Sequence, residues 1–421
     1  MSVGVALTLI SYWCMRRVVL VFLFFAAVAV SRRPDVLFNA QFWAEDGSLW
    51  YADAYNLGAI QPFLHPAAGY FQTVPRLAAL VGLLLPLGIV PLLFSSIAVV
   101  FQVLPAQFLL SSRCSEWGSV GARALFAFLY LGLPNSQEMH ANITNTQWRL
   151  ALLALMILFA RPGLSALWNA FDLSILTLSA LSGPFIIFVA PIAAILYWSE
   201  PRKGQRMTLF LISGFGALIQ GLAVLITGRE ERVVQAVKGA SPELLVQILA
   251  KQVFLAALVG RRSLSGFSFE SGPSWIIAVF AVCVGIAIEC YVLLKAPSVW
   301  KAFIVFSFCI LGISLAFPMT KSPQWPALLA SGGVRYWFYP MLAFMASLVW
   351  MLQARNPAIV RATATALLLM MVYGIVQDWG HPRPVDFRFS DYARTFSELP
   401  PGSTLFIPIN PAGWTMQLMK H

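Results

Sequence analysis

Long apolar runs recur along almost the whole chain and limit what it can fold into. Runs of about 20 apolar residues are typical of helices that cross a membrane. In lipid every backbone amide needs an internal partner, so helices are expected, whereas a β-barrel would show alternating segments of about ten residues. The sequence therefore predicts an all-α membrane protein, a polytopic bundle of about eleven spans at 16–31, 92–112, 121–134, 148–160, 168–182, 184–198, 207–227, 274–294, 300–318, 336–353 and 358–378.

The composition agrees with this class. Of 421 residues, 59% are hydrophobic and 11% are charged, whereas a soluble domain has roughly 25% charged residues. The net charge of +11 does not indicate a nucleic-acid-binding surface, because the basic residues are scattered between apolar runs. The five cysteines form no CxxC pair and lie mostly in or beside apolar runs, which indicates packing residues rather than a zinc site or disulfide framework.

Basic residues in short loops predict the orientation. With a cytoplasmic N-terminus, the segments 33–75, 228–273 and 319–335 and the chain after residue 378 become extracytoplasmic. Arginines flank the apolar stretch after Met15, which favours a retained first span over a cleaved signal, and either Met1 or Met15 fits as the start. We expect an inner-membrane protein whose active site and C-terminus face the periplasm. Every short cytoplasmic turn then holds a cation, from Arg16, Arg17, Arg113, Arg123, Arg161, Arg202, Lys203, Arg206, Lys295, Lys301, Arg355 and Arg361.

Two regions depart from this pattern. The run at 74–90 predicts an interfacial or half-membrane helix, because a full span there would reverse every later loop. The segment after the last span contains a Pro-Pro-Gly turn and a β-like stretch at Thr404–Ile409, with Phe406, Ile407 and Trp414 expected to be buried. We therefore divide the chain into a transmembrane domain, 1–378, and a small extracytoplasmic C-terminal cap, 379–421. Lys251 and Gln252 are expected on the wet face of an outer amphipathic helix.

The acidic motif "FWAEDGSLWYADAY" at 42–55 is the main candidate for chemistry. A carboxylate near a bilayer costs several kcal/mol unless it is hydrated, paired or protonated. The aromatic neighbours suit the headgroup level. We expect Glu45 and Asp46 to face a wet cavity, with a solvated helix start as the alternative.

Other polar residues are predicted on the same side and are candidate partners. The turn "NSQEMHANITNTQW" at 135–148 is too polar for a lipid-facing segment. Arg335 opens a late span, where snorkelling toward the interface is its alternative role. The candidates besides the acids are Trp43, His65, Arg76, His140, Asn142, Asn145, Lys321, Arg335 and Tyr336.

One carboxylate and several cations fit the transfer of a sugar from a lipid phosphate to a hydroxyl. The leaving phosphate needs cations rather than a general acid, and the planar fork of arginine binds phosphate bidentately. The attacking hydroxyl needs one base. A two-carboxylate glycosidase is disfavoured, because adjacent side chains on a helix point about 100° apart.

On these motifs the chain resembles the integral-membrane glycosyltransferases of the GT-C fold, which use polyprenyl-phosphate sugars. "WAEDG" at 43–47 follows the first span, where that superfamily has its acidic catalytic residue. Arg335-Tyr336 matches an Arg-Tyr step that opens a late span, and "LSALSGPFIIFVAP" at 178–191 matches a mid-chain hairpin of short spans. The chain departs from the pattern in lacking a DxD pair and in having Ser182-Gly183-Pro184 where some relatives have a lysine.

The resemblance implies a GT-C-like, inverting enzyme acting on a glycolipid or cell-envelope glycan such as O-antigen. It implies Asp46 as the base, Glu45 as the alternative base or metal-side acid, and Arg335 as a ligand of the donor phosphate. The predicted topology adds Arg76, Lys321 and Tyr336 as further phosphate ligands, and His65, His140, Asn142, Asn145 and Trp43 as substrate contacts. A divalent cation, Mg²⁺ or Mn²⁺, is expected at Asp46 or Glu45 if the enzyme uses one. A flippase of polyprenyl-linked glycans and a ligase with a pyrophosphate donor remain alternatives; the first is disfavoured because the acids cluster at one surface.

Overall fold

The structure is a computed structural model that describes residues 3–199, 204–231, 237–330 and 332–421. The predicted cytoplasmic cations Arg202 and Lys203 lie outside these ranges. The described residues fold into helices and one hairpin: α1 Val3–Ser31, α2 Asp35–Phe38, α3 Ala52–Leu57, α4 Thr73–Gly82, α5 Val90–Leu109, α6 Val120–Leu131, α7 Thr146–Phe159, α8 Ala166–Ala180, α9 Ile186–Ser199, α10 Gly204–Glu231, α11 Pro242–Ile248, α12 Leu255–Val259, α13 Gly272–Lys295, α14 Ser298–Ala316, α15 Gln324–Ala330, α16 Phe338–Met351, α17 Ala358–Gln377, α18 Phe389–Glu398, β1 Thr404–Ile409 and β2 Trp414–Met419.

Every predicted span overlaps a helix, and the number of about eleven crossings stays a prediction. Within the described ranges, six helices are long and apolar enough to cross a membrane: Leu87–Leu109, Gly204–Thr227, Pro242–Val259, Gly272–Lys295, Ser298–Ala316 and Ala358–Gln377. Several predicted spans coincide with shorter helices. For example, α6 has 12 residues, a length of about 18 Å against the roughly 30 Å of a hydrocarbon core.

Two of these shorter helices form the centre of the bundle. Thr146–Leu158 of α7 and the whole of α16 are buried. Helices that are apolar all round pack inside a larger protein rather than at its surface. Both helices begin after a polar segment, which is 135–145 for α7 and 334–337 for α16. The N-termini of the two central helices therefore lie beside the predicted site residues of these segments.

The segments that connect the helices fall into two groups by their contacts. The predicted cytoplasmic turns meet one another: Arg161 donates its backbone N–H to the Arg113 carbonyl at 2.9 Å, and the Trp117 and Trp300 rings lie 5.3 Å apart. The predicted extracytoplasmic segments also meet, as where His381 donates its backbone N–H to Arg32 at 2.7 Å. We call the second group, 32–76, 133–147, 181–184, 318–337 and 378–421, the outer end; its side of the membrane remains a prediction.

Two further segments, α4 and the helix Pro242–Val259, contact the outer end. Helix α4 has 10 residues, about 15 Å, which agrees with a half-membrane helix. The continuous helix Pro242–Val259 is long enough to span, but both of its ends contact the outer end. Before it, the Val237 carbonyl accepts from Gln324, and after it, Arg261 donates its backbone N–H to Asp378 at 2.7 Å.

The prediction that Gln252 lies on the wet face of this helix is wrong. Its side chain is buried and donates to the Leu328 and Leu329 carbonyls, at 3.2 and 2.8 Å. It also accepts from the Asn135 side chain at 3.1 Å. A π-type widening at Leu249–Phe254 interrupts the regular helical spacing of this segment.

The predicted strand Thr404–Ile409 is confirmed as β1, which pairs antiparallel with β2. Side chains alternate between its two faces, so Ile407 is buried. Phe406 and Trp414 are exposed, contrary to the expectation that they would be buried. Asn410, between the strands, ties this segment to the acidic motif: its backbone N–H donates to Phe42, and its carbonyl accepts from Ala44.

Candidate active site

A strained turn positions the two acids. Ala44 has a positive φ of 46°, a conformation uncommon for residues other than glycine. Its hydrogen bond to Asn410 holds the turn against the C-terminal segment. Glu45 follows and stays partly exposed, while Asp46 begins the π-type turn Asp46–Tyr51 that leads into α3. The turn therefore directs the two neighbouring carboxylates into different surroundings.

The Asp46 carboxylate is buried against the segment that precedes α7. The Thr144 hydroxyl donates to Asp46 Oδ1 at 2.8 Å and accepts from Trp50 Nε1 at 2.7 Å. Burial raises the pKa of Asp46 to about 8; the Thr144 hydrogen bond opposes this increase, and the charge of Glu45 adds to it. A carboxyl group with a pKa near the working pH suits general base catalysis.

Arg76 lies on the other face of Trp50. Its guanidinium carbon is 5.0 Å from the centroid of the Trp50 ring, a cation–π distance. Arg76 also pairs with Asp53 at 3.3 Å and donates to the backbone carbonyl of His65 at 3.2 Å. The His65 side chain is exposed and points to no role at Asp46.

The polar segment 135–147 folds back on itself. Asn145 donates its backbone N–H to Asn142 Oδ1 at 3.1 Å, and its side chain donates to the Glu138 carbonyl at 3.0 Å. Asn142 and Asn145 are buried, so their amides hold the shape of this segment. The fold brings the backbone of Glu138 close to Asn145, the residue after Thr144.

Glu138 forms an ion pair with Arg335 at the start of α16. Arg335 also donates its backbone N–H to Glu138 Oε2 at 3.2 Å and its Nη2 to the Tyr336 hydroxyl at 3.3 Å. About a quarter of each charged side chain is exposed, 27% for Arg335 and 23% for Glu138. The pair is thus within reach of a ligand from outside.

Tyr70 is a buried hydroxyl group near the site. The Gln147 side chain donates to its hydroxyl at 3.5 Å. Burial raises the pKa of Tyr70; the charge of Arg335 opposes this increase, and the charge of Glu45 adds to it.

The hairpin at 178–191 packs against Phe71 and Gln147 beside the site. Gly183 donates its backbone N–H to the Phe71 carbonyl at 2.8 Å and has a φ of +96°. A Cβ at Gly183 would overlap the Gln147 side chain. Glycine is therefore required here both by the backbone conformation and by the space that Gln147 occupies.

The structure thus brings some of the predicted residues together and separates others. Asp46 and Arg76 meet through Trp50 and Thr144, and Arg335, Tyr336 and Asn145 meet through Glu138. His140 is buried elsewhere, against Gln102 and His381. Lys321 is exposed, and Trp43 is half-buried with Arg33 at 5.7 Å from its ring centroid. Sequence reasoning missed Thr144 and Tyr70; Thr144 lay in a segment recognised as polar, whereas nothing in the sequence distinguished Tyr70.

A metal fits this site in a limited way. Among the described residues, no three His, Cys, Asp or Glu side chains come together as ligands. Mg²⁺ is commonly held by one or two carboxylates together with substrate phosphates. Glu45, which is partly exposed, can supply one such carboxylate.

A cavity of about 420 Å³ adjoins the acidic motif. Gln41 in its wall is four residues before Glu45, so the two Cα atoms are at most about 14 Å apart. Its wall combines exposed apolar side chains of α2 and α5 with amide, carboxylate and hydroxyl groups. The lining residues are Leu37, Phe38, Asn39, Ala40, Gln41, Gly88, Ile89, Leu92, Asp386, Arg388, Phe389, Ser390 and Asp391.

Comparison with known proteins gives little information. No protein-family model matches the chain, and no curated protein matches it. Among solved structures, the chain is similar to the apo form of an oligosaccharyltransferase from Archaeoglobus fulgidus, with 14% sequence identity and a TM-score of 0.41. The similarity covers 91% of this chain and 58% of that protein.

Proposed function

We propose that the protein is a membrane glycosyltransferase that moves a sugar from a polyprenyl-phosphate donor to a hydroxyl group of a glycolipid or cell-envelope glycan. The proposal includes an extracytoplasmic active site at the outer end, in the bacterial inner membrane. It is drawn from the residues of this chain, and the distant likeness to the oligosaccharyltransferase carries no part of it.

One observation carries the proposal: segment 135–147 contacts a carboxylate of the first outer loop and an arginine of a late helix. Its Thr144 binds Asp46, and its Glu138 binds Arg335. The base and the phosphate ligand that sugar transfer needs are thus both held by one short segment. The two central helices direct their N-termini toward the same region, which favours anionic ligands.

In the proposed reaction, the acceptor oxygen attacks the anomeric carbon of the donor sugar as the bond between that carbon and the phosphate oxygen breaks. The acceptor proton passes to Asp46, whose raised pKa makes it a competent acceptor near neutral pH. The lipid phosphate leaves as an anion, so no general acid is required. Attack from the face opposite the phosphate inverts the anomeric configuration.

Arg335 is the proposed ligand of the donor phosphate. Its guanidinium can bind two phosphate oxygens at once. Glu138 occupies that guanidinium in the present structure, so donor binding requires the phosphate to compete with this carboxylate. Tyr336 and Arg76 supply a neighbouring hydroxyl and a second positive charge. Lys321, exposed near this end, is the weakest of the proposed donor contacts.

The 420 Å³ cavity is the proposed entrance for the acceptor. Carboxylate, amide and hydroxyl groups exchange hydrogen bonds with sugar hydroxyls, and the apolar side chains of α2 and α5 suit the lipid part of a glycolipid. A divalent cation held by Glu45 and the donor phosphates would stabilise the leaving group's charge. Every other step above is assigned to the chain's own side chains.

The test uses the purified chain in lipid vesicles with a panel of polyprenyl-phosphate sugars and a glycolipid acceptor. We expect a new glycosidic bond with the wild type, its loss in Asp46→Asn, and its retention in Glu398→Gln, which changes an exposed acid. Full activity in both Asp46→Asn and Glu45→Gln would contradict the mechanism. Movement of the lipid-linked sugar across the vesicle with no new bond would favour the flippase alternative.

A further inference from the structure

A second group of polar residues is buried beneath the site and takes no part in the proposed reaction. It surrounds a small cavity of about 10 Å³ between α5, α6, the segment 133–140 and the first turns of α7 and α16. That volume holds about one water-sized particle. Arg32, Gln102, Tyr130, Ser136, His140 and Arg149 all line it.

Arg149 has fewer acceptors than its charge requires. It is 3% exposed, and its Nη2 donates to the Met139 carbonyl, but its Nε and Nη1 atoms have no acceptor. In the described part of the chain, no carboxylate forms an ion pair with it. A buried charge without a partner costs several kcal/mol, because arginine stays protonated rather than losing its charge.

Arg32, on the other side of the cavity, is a buried arginine whose charge is compensated by neighbouring groups. Its guanidinium donates to the carbonyls of Leu131, Leu133 and Trp379, among others, and Asp378 supplies a nearby negative charge. Arg149 has the Met139 carbonyl and the Tyr130 hydroxyl beside it, so among the described residues its charge is less fully compensated than that of Arg32.

His140 contributes another donor without an acceptor. The Oε1 atom of Gln102 accepts the backbone N–H of Ala141 at 3.0 Å. The amide nitrogen of Gln102 therefore faces His140 Nδ1 at 3.2 Å. Because that amide nitrogen can only donate, His140 Nδ1 accepts the hydrogen bond and the ring proton of His140 lies on its Nε2. His140 Nε2 has no acceptor. Burial and the surrounding cations hold the pKa of His140 well below its usual value, so the ring is neutral.

The two residues thus present three buried donor nitrogens, which carry four N–H groups, beside a cavity of one-particle size. A water molecule accepts two hydrogen bonds and brings no charge, whereas a small anion accepts more and neutralises Arg149. The volume excludes phosphate and sulfate. We propose that one halide-sized anion, chloride in the cell, binds in this cavity between Arg149 and His140 and stabilises the fold beneath the site.

The test follows thermal unfolding of the purified full chain by tryptophan fluorescence in detergent. Sodium gluconate is replaced by sodium chloride or bromide at constant ionic strength. We expect the unfolding midpoint to rise with halide concentration and to saturate, because the anion binds the folded state alone. A midpoint that is the same in gluconate and in both halides would overturn the proposal and leave water as the occupant.

Two variants and a control connect the effect to the cavity. Arg149→Met removes the charge and should raise the half-saturating halide concentration at least about tenfold, the cost of one charge-assisted hydrogen bond. Gln102→Glu places a carboxylate in the cavity wall and should fold without any halide dependence, which keeps the test valid if Arg149→Met does not fold. Arg361→Met, an exposed position on α17, should keep the wild-type response. An unchanged response in Gln102→Glu would overturn the assignment.

Discussion

Replacing Thr144 by valine should move the pH dependence of sugar transfer to higher pH. The hydroxyl of Thr144 donates to Asp46 Oδ1 at 2.8 Å and stabilises the ionised carboxylate. A hydrogen bond to a charged group contributes about 1.5–3 kcal/mol. We take about 1.5 kcal/mol because the same oxygen also accepts from Trp50, and this energy corresponds to about one pH unit.

The assay measures the rate of transfer in vesicles from pH 5.5 to 10 at saturating donor. The acidic limb of the wild-type profile should have its midpoint near the pKa of Asp46, about 8. In Thr144→Val this midpoint should lie about one unit higher, so activity at pH 7 falls about tenfold while activity above both midpoints is unchanged. Thr144→Ser, which keeps the hydroxyl, should show the wild-type profile.

Glu45→Gln provides the opposite test, because it removes a negative charge that raises the pKa of Asp46. Its acidic limb should move to lower pH. The reasoning is refuted if Thr144→Val is active with an unshifted profile or with one shifted to lower pH. It is also refuted if Glu45→Gln is active with an unshifted acidic limb or with one shifted to higher pH.

Three further predictions concern stability. Asp172→Asn leaves the buried Arg113 without its bidentate partner. It should lower the free energy of unfolding, measured by heat or denaturant, by about 3–5 kcal/mol. Glu116→Gln, at an exposed ion pair, should lower it by at most about 1 kcal/mol. Gly183→Ala should lower both the unfolding midpoint and activity, because its methyl group overlaps a neighbouring side chain at a positive φ, whereas Gly214→Ala, in open space on α10, should be neutral or stabilising. The wild type should lose stability as pH rises from about 4 to about 8, because the folded state favours protonated Asp46; Asp46→Asn should show a smaller loss.

The helices were predictable because each apolar run is a local signal in the sequence. All eleven predicted spans overlap helices, and the strand at Thr404–Ile409 was predicted at its observed limits. The local pattern does not predict how deeply a helix is buried within the protein. Helix α7 is as apolar as a lipid-facing helix would be, yet it is central and surrounded by protein.

The site was predictable as a set of polar segments but not as a set of pairs. Glu45, Asp46 and Arg335 are conspicuous because charge is rare in this chain. Their partners come from distant segments: Thr144 lies 98 residues from Asp46 in sequence, and Glu138 lies 197 residues from Arg335. Gln252 shows the same limit. The sequence predicts its amide on a wet helical face, but the amide forms hydrogen bonds with a segment that lies close to it only in the folded chain.

The backbone hydrogen bond that Ala44 donates to Asn410 sets a rule for the number of membrane crossings between these two residues. Two segments that share backbone hydrogen bonds lie on the same side of a bilayer, so the chain between them makes an even number of complete crossings. Of the eleven predicted spans, one precedes residue 44 and ten follow it, which satisfies the rule. The helix Pro242–Val259 contacts the outer end on both of its sides, so it makes no complete crossing. Counting α4 as a full crossing would then make eleven crossings between residues 44 and 410, an odd number that violates the rule.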